Sequence, residues 1–240
     1  MKKYPKHVAI IPDGNRTWAK SKWYSNPVEW TLEGEKRVEE IINYVFKKTP
    51  IKVITVWGLS TENARNRNNE EKEFLFNLFW SIWEPHKELL KKEKINFKRV
   101  GSEEWLPKKL VNYFRGLEKE FHYPSSDRWL VIAINYGGRD EVVRGIKKMA
   151  KKKDLANLKP QEIEEGLTYK YLDFAGLPQV DLVIRTKGHL ARRLSGFMLW
   201  WIGYAELYFA PQMMPEFGVK EFKEALSWFE QVVKYRNFWK

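Results

Sequence analysis

Arg185, Arg192, Arg193 and Ser195 follow an apolar stretch that begins at Asp181, and a lone carboxylate, Glu206, stands beyond an aromatic run. Planar guanidinium forks bind phosphate oxygens bidentately, and a carboxylate beside them is placed to hold Mg²⁺. The ligand class this chemistry points to is anionic and phosphorylated. Three further clusters are polar: Asp13-Gly14-Asn15, Ser60-Thr61-Glu62-Asn63 and Asn135-Tyr136-Gly137-Gly138-Arg139. Together they supply acid, amide, hydroxyl and guanidinium groups, with no nucleophile beside a base. That inventory suits electrostatic work on phosphate groups rather than acyl transfer. Neither G-x-G-x-x-G nor G-x-x-x-x-G-K-[ST] occurs, and His7, His86, His122 and His189 lack metal-site spacing.

The elements that must position these groups follow from periodicity. Lys6 to Pro12 reads as a buried strand, with turn chemistry at its carboxyl end and a helix-like segment from Arg16 to Lys20. Trp23 to Glu33 carries Pro27 and no steady period, and reads as a loop free to move. Val38, Ile41, Ile42 and Val45 then keep helical spacing until Pro50 closes the segment. Further strands are expected at Ile51 to Trp57, Ile95 to Val100, Trp129 to Ile134, Asp181 to Ile184 and Ala205 to Phe209. Further helices are expected at Glu70 to Lys92, Pro107 to Glu120, around Val142, Val143, Ile146 and Met149, at Gln161 to Glu165, and at Val219 to Tyr235. This succession predicts an α/β fold, one domain over residues 1–240 with a mostly parallel sheet flanked by helices on both faces. In such a sheet the strand carboxyl ends share one edge, where Asp13, Ser60 to Asn63, Asn135 to Arg139 and Arg185 onward would converge.

Composition narrows the classes. A 43% hydrophobic fraction with 12 Trp, 14 Phe and 11 Tyr supplies a core and leaves aromatic surface to line a cavity. The absence of cysteine excludes disulfides and thiolate metal sites and fits a reducing compartment. No stretch approaches the roughly 20 apolar residues of a membrane span, and the amino terminus lacks a signal pattern, so a cytoplasmic protein is expected. The formal charge of +12 is spread over helix-like lysine clusters such as Lys151 to Lys153, and without a recognition motif it does not make a nucleic-acid binder.

Read together and in order, five motifs resemble cis-prenyltransferases, the undecaprenyl diphosphate synthase family. They are His7 to Asn15 with Trp18-Ala19, Leu59 to Asn63, Asn135 to Arg139, Asp181 to Arg185, and Tyr204 to Phe209. The resemblance implies a parallel-sheet domain with a hydrophobic tunnel, usually a homodimer, joining isopentenyl diphosphate to an allylic prenyl diphosphate through a Z double bond with Mg²⁺. By motif, Asp13 would bind Mg²⁺ and help the allylic diphosphate leave, and Glu206 would complete the metal site. Gly14, Asn15, Arg16 and Trp18 would surround the leaving group. Arg185, Arg193 and Ser195 would hold isopentenyl diphosphate, with Ser60 also in the substrate site and Asn63 near the reacting carbons. The aromatic helix from Phe74 to Trp83 would wall the tunnel. Expected partners are the two diphosphates, a second copy or a homologous subunit, and peripheral contact with a membrane; nucleic acid is not among them.

The departures from the family pattern gather on the allylic side. Thr17 and Thr31 stand where the family has arginines, and Gly34-Glu35 where it has Gly-His. Ala64 replaces a Trp, Asn66-Arg67 an Arg-Pro pair, the loop from Arg185 to Arg193 is two residues longer, Gly196 replaces an Asn, and the carboxyl-terminal Arg-x-Gly is missing. Two arginines and a histidine lost from a diphosphate site forgo several charge-assisted hydrogen bonds of about 1.5–3 kcal/mol each. Arg16, Lys20, Lys36 or Arg37 would have to compensate, or the donor or acceptor is unusual. The alternative is a noncatalytic subunit of a heteromeric synthase, or a prenyl-lipid binding protein.

Overall fold

Strand β1 (His7–Ile11) is buried at all five positions, as expected of a central strand covered on both faces. The computed structural model of the chain describes residues 3–23, 27–66, 77, 79 and 86–236. Around β1 lie β2 (Val53–Ser60), β3 (Asn96–Val100), β4 (Trp129–Tyr136), β5 (Leu182–Arg185) and β6 (Glu206–Phe209). They form one sheet in the order β3-β4-β2-β1-β5-β6, every pairing parallel. The helices are α1 (Asn15–Ser21), α2 (Pro27–Lys48), α3 (Thr61–Asn66), α4 (86–92), α5 (Lys108–Glu120), α6 (Gly138–Ala150), α7 (Pro160–Gly166) and α8 (Val219–Arg236). None among the described residues is long and apolar enough to cross a membrane.

Alternate strand residues face opposite layers, so the core divides in two. Val8, Ile10, Ile54, Ile132 and Ile184 pack against Ile41, Ile42 and Val45 of α2, Phe114 of α5 and Phe222 of α8. Ala9, Ile11, Val131 and Val183 pack against Met149 of α6 and against Phe174, Phe197 and Trp201 from the irregular segments.

One expectation is corrected. Helix α2 begins at Pro27, so most of the segment read as a loop is helical. Proline is tolerated at a first helical position because its missing N–H would be unpaired there. The inward face one turn on carries Thr31 and Glu35 rather than apolar residues, which hides the period. On α6, Val143 and Ile146 are exposed, while Gly138, Glu141, Gly145 and Met149 face inward. The helix expected from Glu70 to Lys92 is described at 77, 79 and 86–92; the rest lies outside the described residues.

Candidate active site

A cavity of about 1270 Å³ opens at the carboxyl ends of β1, β2, β4 and β5. Strand order reverses around β1, and ligands bind at such switch points in open α/β sheets because the loops there diverge. Asp13 leaves β1 through a turn that Gly14 closes with φ of 105°, a left-handed conformation costly for other residues. A Cβ there would also meet Met213 at 2.8 Å. Thr186, wholly buried after Arg185, accepts from Asp13 N–H at 2.7 Å and donates to Asp13 O at 2.6 Å. This clamp was not legible beforehand; its only sequence signal is a hydroxyl directly after the last strand arginine.

Arg185, 4% exposed, is the electrostatic centre of the site. Its Nη2 donates to Asp13 Oδ2 at 2.7 Å, and its Nη1 donates to Ser195 Oγ at 3.0 Å and to the Arg193 carbonyl. Arg193, Lys187 and Arg16 also line the cavity. The loop from Lys187 to Gly196 curls back over the edge, with Lys187, Ser195 and Gly196 at positive φ. Gly188 lets it pass β6, since a Cβ would sit 2.6 Å from the Phe209 backbone. His189 Nδ1 donates to Pro211 O at 2.6 Å outside the cavity lining, a role within the loop.

The β2 end contributes Ser60 and Asn63, both lining the cavity. Ser60 Oγ accepts from Asn63 N–H at 3.0 Å, satisfying a donor at the start of α3. From β4 come Tyr136, Gly137, Gly138 and Arg139. Behind them is a buried carboxylate that periodicity did not single out: Glu141 accepts from Tyr136 Oη at 2.5 Å, from Trp201 Nε1 at 3.2 Å and from Asp173 N–H at 2.9 Å. Burial pushes its carboxyl up to about 7 against the pull of the tyrosine hydroxyl. Gly138 N–H reaches Gly196 O at 2.9 Å, so this network joins the β4 end to the arginine loop.

Ile11, Val56, Trp57, Leu59 and Phe79 make the cavity's apolar part. Phe79 is buried against Gly58, where an added Cβ would lie 3.1 Å from its ring. Thr17 of α1 and Thr31 and Glu35 of α2 form the remaining wall. Among the described residues Glu35 has neither hydrogen bond nor ion pair, and burial raises its carboxyl to about 7.

Of the expected site residues, Asp13, Gly14, Asn15, Arg16, Ser60, Asn63, Arg185, Arg193 and Ser195 share this cavity. Trp18 and Glu206 are not among its lining residues. Trp18 is half-buried on α1. Glu206 pairs with Leu182 at the start of β6, whereas Arg185 pairs with Phe209. Three residues of strand, about 10 Å, therefore separate Glu206 from the cavity edge. No group of three or more metal-ligating side chains occurs among the described residues.

Comparison with known proteins gives this geometry a context. Residues 11–237 match the Prenyltransf family model, that of undecaprenyl diphosphate synthase. The isoprenyl transferase of Thermotoga maritima is 36% identical over 230 residues, covering 93% of this chain and 92% of that protein. The tritrans,polycis-undecaprenyl-diphosphate synthase (geranylgeranyl-diphosphate specific) of Thermoplasma volcanium is 36% identical over 232 residues, covering 94% and 87%. Among solved structures, lavandulyl diphosphate synthase from Lavandula x intermedia, in complex with dimethylallyl diphosphate, superposes with a TM-score of 0.79 at 31% identity over 95% of each chain. The parallel-sheet scaffold is thus shared with a solved prenyl diphosphate synthase, and the chain belongs to the undecaprenyl diphosphate synthase family of cis-prenyltransferases.

Proposed function

We propose that the cavity condenses an allylic prenyl diphosphate with isopentenyl diphosphate to give a Z-prenyl diphosphate. The observation that carries this reading is the pairing, in one cavity, of a buried Arg185 fork with an apolar wall of Ile11, Val56, Leu59 and Phe79. One end suits a diphosphate, the other a hydrocarbon chain. Arg185, Arg193 and Ser195 hold the isopentenyl diphosphate, while Gly14, Asn15 and Arg16 face the donor. The allylic C–O bond breaks with its electron pair leaving on the diphosphate. The isopentenyl double bond attacks the freed carbon, and loss of a proton from the adjacent carbon closes the new double bond. Products are the extended diphosphate, pyrophosphate and a proton. Apolar walls exclude water from the carbocation-like group, and Asn63 lies at the rim near the reacting carbons.

The oxygen donors of the site suit Mg²⁺, which favours one or two carboxylates plus substrate phosphates over an all-protein cage. Asp13 fits that role, because only its Oδ2 is engaged, by Arg185, and it faces the cavity. When bound, the ion neutralises the charge developing on the leaving diphosphate. Glu206, expected as a second ligand, lies away from the cavity of its own chain.

A short donor is favoured by Phe79 seated against Gly58, and by the likeness to a synthase solved with dimethylallyl diphosphate. Exposed Val143 and Leu199 at the cavity, with exposed Ile146 on the same helix as Val143, support assembly as a homodimer. Incubation of the pure protein with Mg²⁺, labelled isopentenyl diphosphate and allylic primers of several lengths tests the reading. Extended Z product is expected; none with any primer overturns it in favour of a noncatalytic subunit.

A further inference from the structure

The wall made by α1 and α2 lacks the character expected around a diphosphate. Thr17, Thr31 and Glu35 face the cavity there, the last two one helical turn apart. Glu35 is half-buried and has no hydrogen bond or counter-charge among the described residues. Gly34, beside it, is packed so closely on Asn15 that a Cβ would collide with the Asn15 amide. That contact puts the Asn15 side chain between the Asp13 turn and the Glu35 turn. Asn15 Oδ1 is itself buried with no donor among the described residues. Asp13 Oδ2 is held by Arg185, and no bond engages its other oxygen. Three hard oxygen groups, from Asp13, Asn15 and Glu35, therefore border one region with their acceptor capacity unfilled.

A diphosphate brought against this wall alone would meet a carboxyl group and be repelled, more strongly than in water because the site is partly desolvated. A divalent cation between the two reverses the sign of the interaction. Mg²⁺ takes oxygen ligands and shares them between one or two carboxylates and substrate phosphates. We propose that Glu35 is the second carboxylate of this cation site, so that the donor diphosphate docks between Asp13 and Glu35 only as its metal complex. The inference rests on the prenyltransferase reading, since it takes the donor to be a diphosphate. It moves the second carboxylate from Glu206 to a residue of the donor wall, and it makes the departures at Thr17, Thr31 and Glu35 a change in how the donor is held rather than a loss of its site.

The test reads binding rather than turnover. The full chain is first saturated with isopentenyl diphosphate, which fills the arginine side. Dimethylallyl S-thiolodiphosphate, an unreactive donor analogue, is then titrated calorimetrically with Mg²⁺ or with EDTA. For the unaltered protein Mg²⁺ should tighten binding by roughly tenfold or more, and in Glu35→Gln that gain should fall below about threefold. Glu35→His should bind the metal-free analogue more tightly than the unaltered protein does. Because Glu35 has no partner to lose, Glu35→Gln should melt no lower than the unaltered protein. Full Mg²⁺ dependence retained in Glu35→Gln overturns the inference, as does metal-free binding by the unaltered protein as tight as metal-dependent binding. Failure of the unaltered protein to bind any prenyl diphosphate would instead remove the prenyltransferase reading, and the inference with it.

Discussion

Arg185 Nη2 lies 2.7 Å from Asp13 Oδ2, so the ends of two adjacent parallel strands are joined by an ion pair at the floor of the cavity. The arginine side chain is 5% exposed and the aspartate 30%, which leaves the aspartate as the partner that faces substrate.

Asp13→Asn keeps a hydrogen-bonding oxygen for Arg185 while removing the charge. It should fold and lose at least about a hundredfold in kcat/KM, the equivalent of roughly 3 kcal/mol of charge-assisted contact. Asp13→Ala should in addition lower the melting temperature, because a buried guanidinium then loses its counter-charge. Turnover of labelled isopentenyl diphosphate, with melting curves beside it, reads both effects. Unchanged turnover in Asp13→Asn would remove Asp13 from the reaction.

Thr186→Val is nearly isosteric and deletes the two hydrogen bonds between the Thr186 hydroxyl and the Asp13 backbone, leaving those to Ile11 O and from Met214 N–H. The expected cost is about 1–2 kcal/mol, a fall of roughly 2–8 °C in melting temperature for a chain of this size. Thr186→Ser should restore most of it. A Ser variant no better than Val would mean that the methyl packing, not the hydroxyl, matters.

His7 is wholly buried, its Nδ1 2.8 Å from Pro178 O and its Nε2 2.8 Å from Thr55 Oγ1, and burial lowers it to about 4. Above the unfolded value of 6.5 the ring is neutral in both states and the contribution is whole. As pH falls from there towards 4, only the unfolded chain takes up the proton and stability drains away, by about 3 kcal/mol in all. Denaturant unfolding of the wild type and His7→Gln between pH 7 and pH 4 isolates this slope. Parallel curves for the two proteins would contradict it.

Tyr136→Phe removes the hydroxyl that donates to Glu141 at 2.5 Å. The ionised carboxylate needs that donor most, and Glu141 ionises as pH rises through about 7. The loss should therefore approach about 1.5–3 kcal/mol at pH 8 and be smaller at pH 5, where the carboxyl is protonated. Stability measured at both pH values checks the sign, and an equal or larger cost at pH 5 would refute it.

Most of the frame was determined by the sequence itself. Strands such as His7–Ile11 and Trp129–Tyr136 announce themselves because a strand buried on both faces must be apolar throughout. The turn residues and arginines at their carboxyl ends then had one sheet edge on which to meet, and Asp13, Ser60, Asn63, Arg185, Arg193 and Ser195 do line one cavity.

What only the tertiary structure decided concerns residues whose neighbours are distant along the chain. The bond between Thr186 and Asp13 spans 173 positions, and Trp201 reaches Glu141 across 60. The apolar residues Val142, Val143, Ile146 and Met149 marked the helix but passed over Glu141, because a pattern of apolar residues cannot register a carboxylate buried by hydrogen bonds from other segments. The same blindness turned the start of α2 into a loop, since its inward face serves the cavity with Thr31 and Glu35 rather than the core. Glu206 shows the converse. Its motif suggested a place beside the arginines, but strand register sets it three residues back from the edge, at a position that only the pairing of β5 with β6 could assign.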